Sequence, residues 1–183
     1  MLNTQLMPAS AIYILHTGEK ILGDGVNVSF PSFQSDNDTF LYEDYKYTYL
    51  KAINGWHVEA IDKNKEEYKP ILSDIASLPI VSLYETFKDC TMLFESPIIP
   101  PSVNDMRGTF TNCNSLRTGY VGENVIDISN CFENCSLLTT PPTLPPTLKC
   151  LNSAFLNCRS METKPEYPSF ARAENAFTGC DKL

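Results

Sequence analysis

In 183 residues this chain carries two histidines, one tryptophan and eight glycines, and sets only 14 lysines and arginines against 22 acidic residues. Each shortage closes a class of function. The net charge of −8 is shared evenly between residues 1–69 and 70–183, with no basic stripe, so the surface suits neither nucleic acid nor an anionic membrane. No apolar run approaches the roughly 18 residues that a membrane-spanning helix needs, and no membrane insertion is expected. The start, Met1 to Pro8, has neither the basic head nor the apolar core of an export signal. His16 and His57 stand in strand-like segments, while every cysteine lies at residue 90 or beyond, so the sequence brings no nucleophile, base and orienter together. Glu43 and Asp44 are adjacent on a strand and therefore point to opposite faces, which makes a poor acid–base pair. Glycine-rich phosphate loops and aspartate-rich ion loops are absent. No enzyme and no cofactor are expected.

What is present is repetition. Thr86-Phe87-Lys88-Asp89-Cys90 returns as Thr109-Phe110-Thr111-Asn112-Cys113, Cys131-Phe132-Glu133-Asn134-Cys135, Ala154-Phe155-Leu156-Asn157-Cys158 and Ala176-Phe177-Thr178-Gly179-Cys180. A period of 22 or 23 residues is the mark of a solenoid, in which each repeat is one coil stacked on the next. Seven residues before each Phe stand Ile80, Val103, Val125, Leu148 and Phe170; four before stand Leu83, Met106, Ile128, Leu151 and Ala173; six after stand Leu93, Leu116, Leu138, Met161 and Leu183. Each coil thus offers five inward columns that only stacking can bury. Proline-rich connections such as 96–102 and 141–147 rule out an interior helix and favour extended backbone on an outer wall.

The pattern apolar-x-x-apolar-x-x-x-Phe-x-x-Cys-x-x-Leu resembles the BspA-type leucine-rich repeats of bacterial surface proteins. The resemblance covers residues 80–183, and residues 54–83 look like the lead-in of such arrays. It implies recognition or adhesion outside the cell, no catalytic residues, and a strand after the Leu that lines one face. The array departs from the pattern in being short and in ending within a repeat. A surface-type repeat without a visible export signal also admits packaging into a phage-like particle.

Five of the seven cysteines form the repeat column and are expected as buried thiols, since free cysteine behaves as a small apolar residue. Cys131 and Cys150 fall outside the column; Cys131-x-x-x-Cys135 is half a metal motif with no histidine near it, so no metal is expected. The sequons at Asn27, Asn37 and Asn134 are read as chance. Before the array, strands are expected at 11–15, 20–22 and 26–30, the last two joined by a Gly23-Asp24-Gly25 turn. A further hairpin turns at Asn54-Gly55, pairs Ile53 with Trp56, and puts Tyr45, Tyr47 and Tyr49 on one face with Val58 and Ala60. That face is a sheet core or an aromatic platform for sugars or a partner; half-buried sheets alternate by default, so core takes precedence. Tyr42, out of phase, is the expected exposed aromatic. Residues 68–79 read as a short helix and lead-in with Pro70 in its first turn, placed to cap the first coil, whereas the last coil either frays or is covered by another subunit or chain.

The expected fold is α+β, mainly β: a small antiparallel β domain at 1–67, a capping helix and lead-in at 68–79, and a leucine-rich-repeat array at 80–183 with four coils and a partial fifth. Alternation after each column Leu turns Phe94, Arg117, Thr139 and Glu162, and two residues on Ser96 and Lys164, outward as a candidate ligand surface joined by Tyr42. The function expected is a non-catalytic recognition or adhesion module for a protein or glycan outside the cell. The alternative is a component of a phage tail or phage-like particle docked through residues 1–67.

Overall fold

The computed structural model describes residues 12–14, 20–22, 39–42, 45–50, 52, 55–66 and 80–183. Six strands share one sheet: β1 (Ile12–Ile14), β2 (Lys20–Leu22), β3 (Thr39–Tyr42), β4 (Tyr45–Leu50), β5 (Gly55–Ala60) and β6 (Ile80–Ser82), in the order β2-β1-β3-β4-β5-β6. The pairings from β2 through β5 are antiparallel, and β6 joins β5 in parallel. No α-helix occurs among the described residues. The helix expected at 68–79 and the strand expected at 26–30 lie outside them, as do His16 and the sequons at Asn27 and Asn37.

The β4–β5 hairpin corrects one expectation. Tyr49 pairs with Trp56 and Leu50 with Gly55, so residues 51–54 form the connection and Asn54-Gly55 is not a two-residue turn. A two-residue turn would have set Tyr47 against Asp62 and Tyr45 against Asn64. The observed register sets them against Val58 and Ala60, where all four are buried. Because the two registers differ by an even number of residues, the face assignment survives. Tyr45 and Tyr47 are each only 2% exposed, so they are core and form no open aromatic platform.

Beyond β6 the parallel ladder continues with one bridging residue per coil, through Ser82, Asp105, Asp127, Cys150 and Arg172. A second ladder links Glu95, Thr118 and Thr140. Between the two, backbone hydrogen bonding alternates residue by residue. Leu83, Glu85, Phe87 and Asp89 donate their N–H groups to carbonyls of the next coil, at Asp105, Arg107, Thr109 and Thr111, over 2.9–3.0 Å. The residues between them, Thr86, Lys88 and Cys90, donate to carbonyls three residues back in their own coil. The next three coils repeat this scheme and the last keeps its own-coil bonds, which leaves few buried donors unpaired without any helix. Its geometry needs left-handed backbone twice per coil. Two residues before the Phe it falls on Glu85, Gly108, Asn130, Ser153 and Asn175, and two after on Asp89, Asn112, Asn134, Asn157 and Gly179.

The inward columns pack as their spacing requires. Phe87, Phe110, Phe132 and Phe155 are fully buried, and from Phe87 to Phe177 neighbouring rings lie 5.4–5.6 Å apart and nearly parallel. All seven cysteines are free and buried. Each column thiol from Cys113 onward donates to the Phe carbonyl of the coil before, 3.0 Å from Cys113 to Phe87 and 3.2 Å from Cys135 to Phe110. Cysteine is therefore small enough for the column and still able to satisfy a carbonyl.

Two inward assignments fail in the last coil. Phe170 is 67% exposed, and Ala171 takes the place held by Val103, Val125 and Leu148. Its N–H closes a turn on Pro168, as theirs do on Pro100, Gly122 and Pro145. The short spacing of this coil comes from a residue missing between Ala171 and Arg172, so counting back from Phe177 lands one position early. Leu183 is 44% exposed because no further coil covers it here. Phe177 does have a neighbour: Tyr167 leans on its ring at 6.0 Å and Lys164 Nζ stands 5.3 Å from its centre.

At the other end, β4 and β5 cover the first coil. Tyr45 meets Phe87 edge-on at 6.0 Å, Ala60 N–H donates to Thr86 O, and Thr86 Oγ1 donates to Val58 O. The antiparallel sheet thus covers this end of the array, and the helix expected to cap it lies outside the described residues.

Candidate functional site

The long ladder is positioned by short polar side chains. Ser82 Oγ, Asp105 Oδ1 and Asp127 Oδ1 accept the N–H groups of Tyr84, Arg107 and Ser129, two residues on. These local bonds hold the chain in tight turns and fix the following side chains on the outside of the coil. Tyr84 is 44% exposed, and beyond it come Arg107, Ser129, Asn152 and Glu174.

Arg107 is the best-anchored of these. Its Nε donates to Asp105 Oδ1 and its Nη2 to Asp105 Oδ2, both at 2.9 Å, and its guanidinium carbon lies 5.3 Å from the centre of the Tyr84 ring. Ser82 Oγ donates to the same carboxylate at 3.2 Å. Burial pushes the Asp105 carboxyl up, but the Arg107 hydrogen bonds and charge, with Ser82, outweigh it and hold the group below its ordinary value. The ion pair persists across the neutral range, and Nη1 of Arg107 keeps its donors free of the pair.

Beside it lies a cleft of about 310 Å³ lined by Tyr84, Glu85, Lys88, Arg107, Asn130 and Glu133, among others. Lys88 Nζ stands 2.7 Å from Glu85 Oε1, and Asn130 Nδ2 donates to Glu133 Oε2 at 2.8 Å. Formal charges balance across this cleft. The cleft is polar and near-neutral, with hydrogen-bonding groups of both kinds.

The residues chosen from sequence lie on the other ladder. Phe94, Arg117, Thr139 and Glu162 are exposed as expected, with Arg117 N–H bonded to Phe94 O at 2.9 Å and Glu162 N–H to Thr139 O at 3.3 Å. Ser96 does not follow, whereas Lys164 is exposed as expected. Alternation belongs to an extended strand, and here each coil offers one bridging residue, so the two outward positions are consecutive: 94 and 95, 117 and 118, 139 and 140. The next position turns back toward the Phe stack. Ser96 is half-buried, a Cβ on Gly119 would stand 2.5 Å from the Phe132 ring, and Lys164 lies over Phe177. Glu162 forms an exposed ion pair with Lys182 at 3.5 Å. The side chain of Tyr42 lies outside the described residues.

Among the described residues the titratable groups are not arranged as a reactive centre. Burial pushes the thiols of Cys113, Cys131, Cys135 and Cys158 well above the ordinary value, so the thiolate nucleophile is suppressed. Burial likewise lowers the pKa of His57. Among the described residues no three His, Cys, Asp or Glu side chains converge as a metal site, and no helix is long and apolar enough to cross a membrane.

No protein-family model and no curated protein sequence matches the chain. Two solved structures do. The T. pallidum leucine-rich repeat protein TpLRR superposes with a TM-score of 0.63 at 21% identity, over 76% of this chain and 66% of that one. A leucine-rich repeat protein from Bacteroides ovatus gives a TM-score of 0.56 at 20% identity, over 78% of this chain and 45% of that one. The chain has a leucine-rich-repeat fold. It spans less than two thirds of the length of either neighbour.

Within this leucine-rich-repeat array the sequence reading passed over a polar column. Asn157 Nδ2 donates to Asn134 Oδ1 at 2.9 Å, Asn134 Nδ2 to Asn112 Oδ1 at 2.8 Å, and Asn112 Nδ2 to Asp89 Oδ1 at 2.8 Å. Its signal was present as Asp, Asn, Asn, Asn, Gly two residues after each Phe. These are the residue types that tolerate left-handed backbone. The ladder also occupies the amide of the Asn134 sequon.

Proposed function

We propose that this leucine-rich-repeat protein is a non-catalytic recognition module that works outside the cell and holds a protein ligand, with a glycan as the lesser fit, against the face of its long ladder. The observation that carries this is Arg107. An arginine locked bidentately by Asp105 and laid against an exposed tyrosine has lost its rotamer freedom before binding and still offers donors. Pre-ordered Arg and Tyr are the residue types that dominate binding energy at protein interfaces. The inward columns repeat from coil to coil, while Tyr84, Arg107, Ser129, Asn152 and Glu174 all differ, as a surface free of packing duty permits. Extracellular placement is supported by the BspA-like spacing and by the bacterial sources of both structural neighbours. In this reading residues 1–67 form the β-rich lead, 68–79 the link and 80–183 the binding array. No observation among the described residues favours docking to a phage-like particle.

The test is to probe arrays of extracellular proteins and of glycans with the biotinylated chain, its Tyr84→Ala variant and its Arg107→Ala variant. A protein ligand weakened at least tenfold by both substitutions, with the unfolding midpoint little changed, supports the reading. Ligands that bind both variants as tightly as the parent refute it.

A further inference from the structure

The outer wall carries a second concavity, remote in the coil from Arg107 and independent of the reading above. A groove of about 510 Å³ runs between the connections of two successive coils, with Tyr120 and Glu123 on one side and Pro141, Pro142, Pro145 and Pro146 on the other. This volume falls in the range of ligand sites rather than of packing defects. Tyr120 is 47% exposed although its neighbour Val121 is buried. Gly119, with no side chain, lets the wall sit flush on the Phe132 ring, where a Cβ would collide.

The wall is stiff. Proline fixes its own backbone, and side chains tie the connections to the coils before them: Asn124 Nδ2 donates to Pro101 O at 2.9 Å, and Thr147 Oγ1 to Val125 O at 2.8 Å. Pro146 is exposed and Pro141 half-buried, with Pro142 and Pro145 buried beside them, and none of the four brings an N–H, so they supply apolar ring surface without adding backbone donors. Tyr120 supplies an aromatic face with one polar tip. The Glu123 carboxylate at the rim makes no ion pair or hydrogen bond among the described residues, on a chain whose net charge is −8.

We propose that this groove binds a proline-rich, polyproline-II segment of a partner protein that carries a basic residue beside its prolines. Such a segment is already extended and loses little freedom on binding, its rings pack on tyrosine and proline, and its backbone brings few N–H groups to be stranded against the wall. The charge at the rim selects the basic residue.

The experiment uses fluorescence anisotropy with the full chain and a labelled dodecapeptide made mostly of proline and leucine with one terminal arginine. Controls are the same peptide with the arginine replaced by glutamine and a glycine–serine peptide that keeps it. The expected result is saturable micromolar binding, weakened at least tenfold by Tyr120→Ala and about threefold by Glu123→Gln, the latter also flattening the salt dependence. The glycine–serine peptide should not bind. Circular dichroism checks that Tyr120→Ala keeps its fold, and Glu123→Gln, an exposed isostere, tests the site independently. No saturation at millimolar peptide, binding indifferent to both substitutions, preference for a small apolar dye, or a dimer of the chain that blocks the groove would each overturn the proposal.

Discussion

The amide ladder offers the sharpest test of how this solenoid is held together. It is directional: each Asn donates toward the first coil, Asn112 and Asn134 also accept from the coil after, and Asp89 ends the row as a pure acceptor. Asn134 makes two such bonds and sits at a φ of 61°. Asn134→Gly removes both bonds and keeps the backbone comfortable, a loss of about 2 kcal/mol at ~1 kcal/mol per hydrogen bond. Asn134→Ala adds the left-handed penalty of a β-carbon, about 1 kcal/mol more. Asn134→Asp keeps the bond from Asn157 but turns the donor toward Asn112 Oδ1 into a second oxygen, at a cost of about 2–3 kcal/mol for two facing acceptors. Asp89→Asn should cost under about 1 kcal/mol, because that position only accepts and an amide oxygen accepts too.

The assay is guanidinium unfolding followed by circular dichroism, with slopes compared to confirm that each variant unfolds as the parent does. The expected order of stability is parent, Asp89→Asn, Asn134→Gly, then Asn134→Ala with Asn134→Asp. If Asn134→Asp lies within about 0.5 kcal/mol of the parent, or if Asp89→Asn costs as much as Asn134→Asp, the directional ladder contributes nothing and the argument fails.

Other outcomes follow from the same packing. Column thiols held protonated in the fold will ionise in the unfolded chain above the ordinary thiol value of 9.0, so each fully buried one removes up to about 1.4 kcal/mol per pH unit; the unfolding midpoint should hold up to about pH 8 and drop steeply once the pH passes 9.0, and a disulfide reagent should label the thiols only on unfolding. The sign reverses for His57, whose pKa burial lowers: the unfolded chain takes up the proton first, so stability should fall as pH drops below 6.5, and His57→Gln should flatten that limb of the profile. Gly119→Ala should cost about 1–3 kcal/mol, since its Cβ would meet a Phe132 ring pinned between Phe110 and Phe155, whereas Gly122→Ala, at 3.1 Å from an Ile99 methyl, should cost less in the same unfolding assay.

The period and the inward columns were legible because one physical demand is repeated in every coil. The Phe must stack on the Phe before it, the Cys must fit beneath it, and the Leu must close the turn. The Phe+2 left-handed column was equally legible and was overlooked, while the Phe−2 column, which accepts Glu85 and Ser153 as well as Gly108 and Asn130, has no compositional signature. The hairpin was misread because Asn54-Gly55 is a strong local turn signal, and burying Tyr45 and Tyr47 against Ala60 and Val58 outweighed it. Phe170 was misplaced for a different reason. Two spacings are 22 residues rather than 23, and the missing residue falls in the outer wall after Thr118 in one coil but between Ala171 and Arg172 in the other. A count from the Phe cannot see where the shortening lies.

The outward faces were harder to read because the sequence argument borrowed the alternation of a strand. A coil that touches its neighbours through one bridging residue per side has no strand long enough to alternate, and its outward positions are set by which side chain caps which turn. Asp105 accepts the Arg107 N–H and then pairs with the Arg107 side chain, so one carboxylate both shapes the turn and locks the residue that the turn displays. Asp127 does the same for Ser129, and Ser82 caps Tyr84. On the proposed reading, the capping column is where fold and recognition meet. Changing the capped residue alters the surface, whereas changing the cap alters both the turn and what it presents, so on the proposed reading substitutions at Tyr84, Arg107 and Ser129 test binding more cleanly than substitutions in the column that holds them.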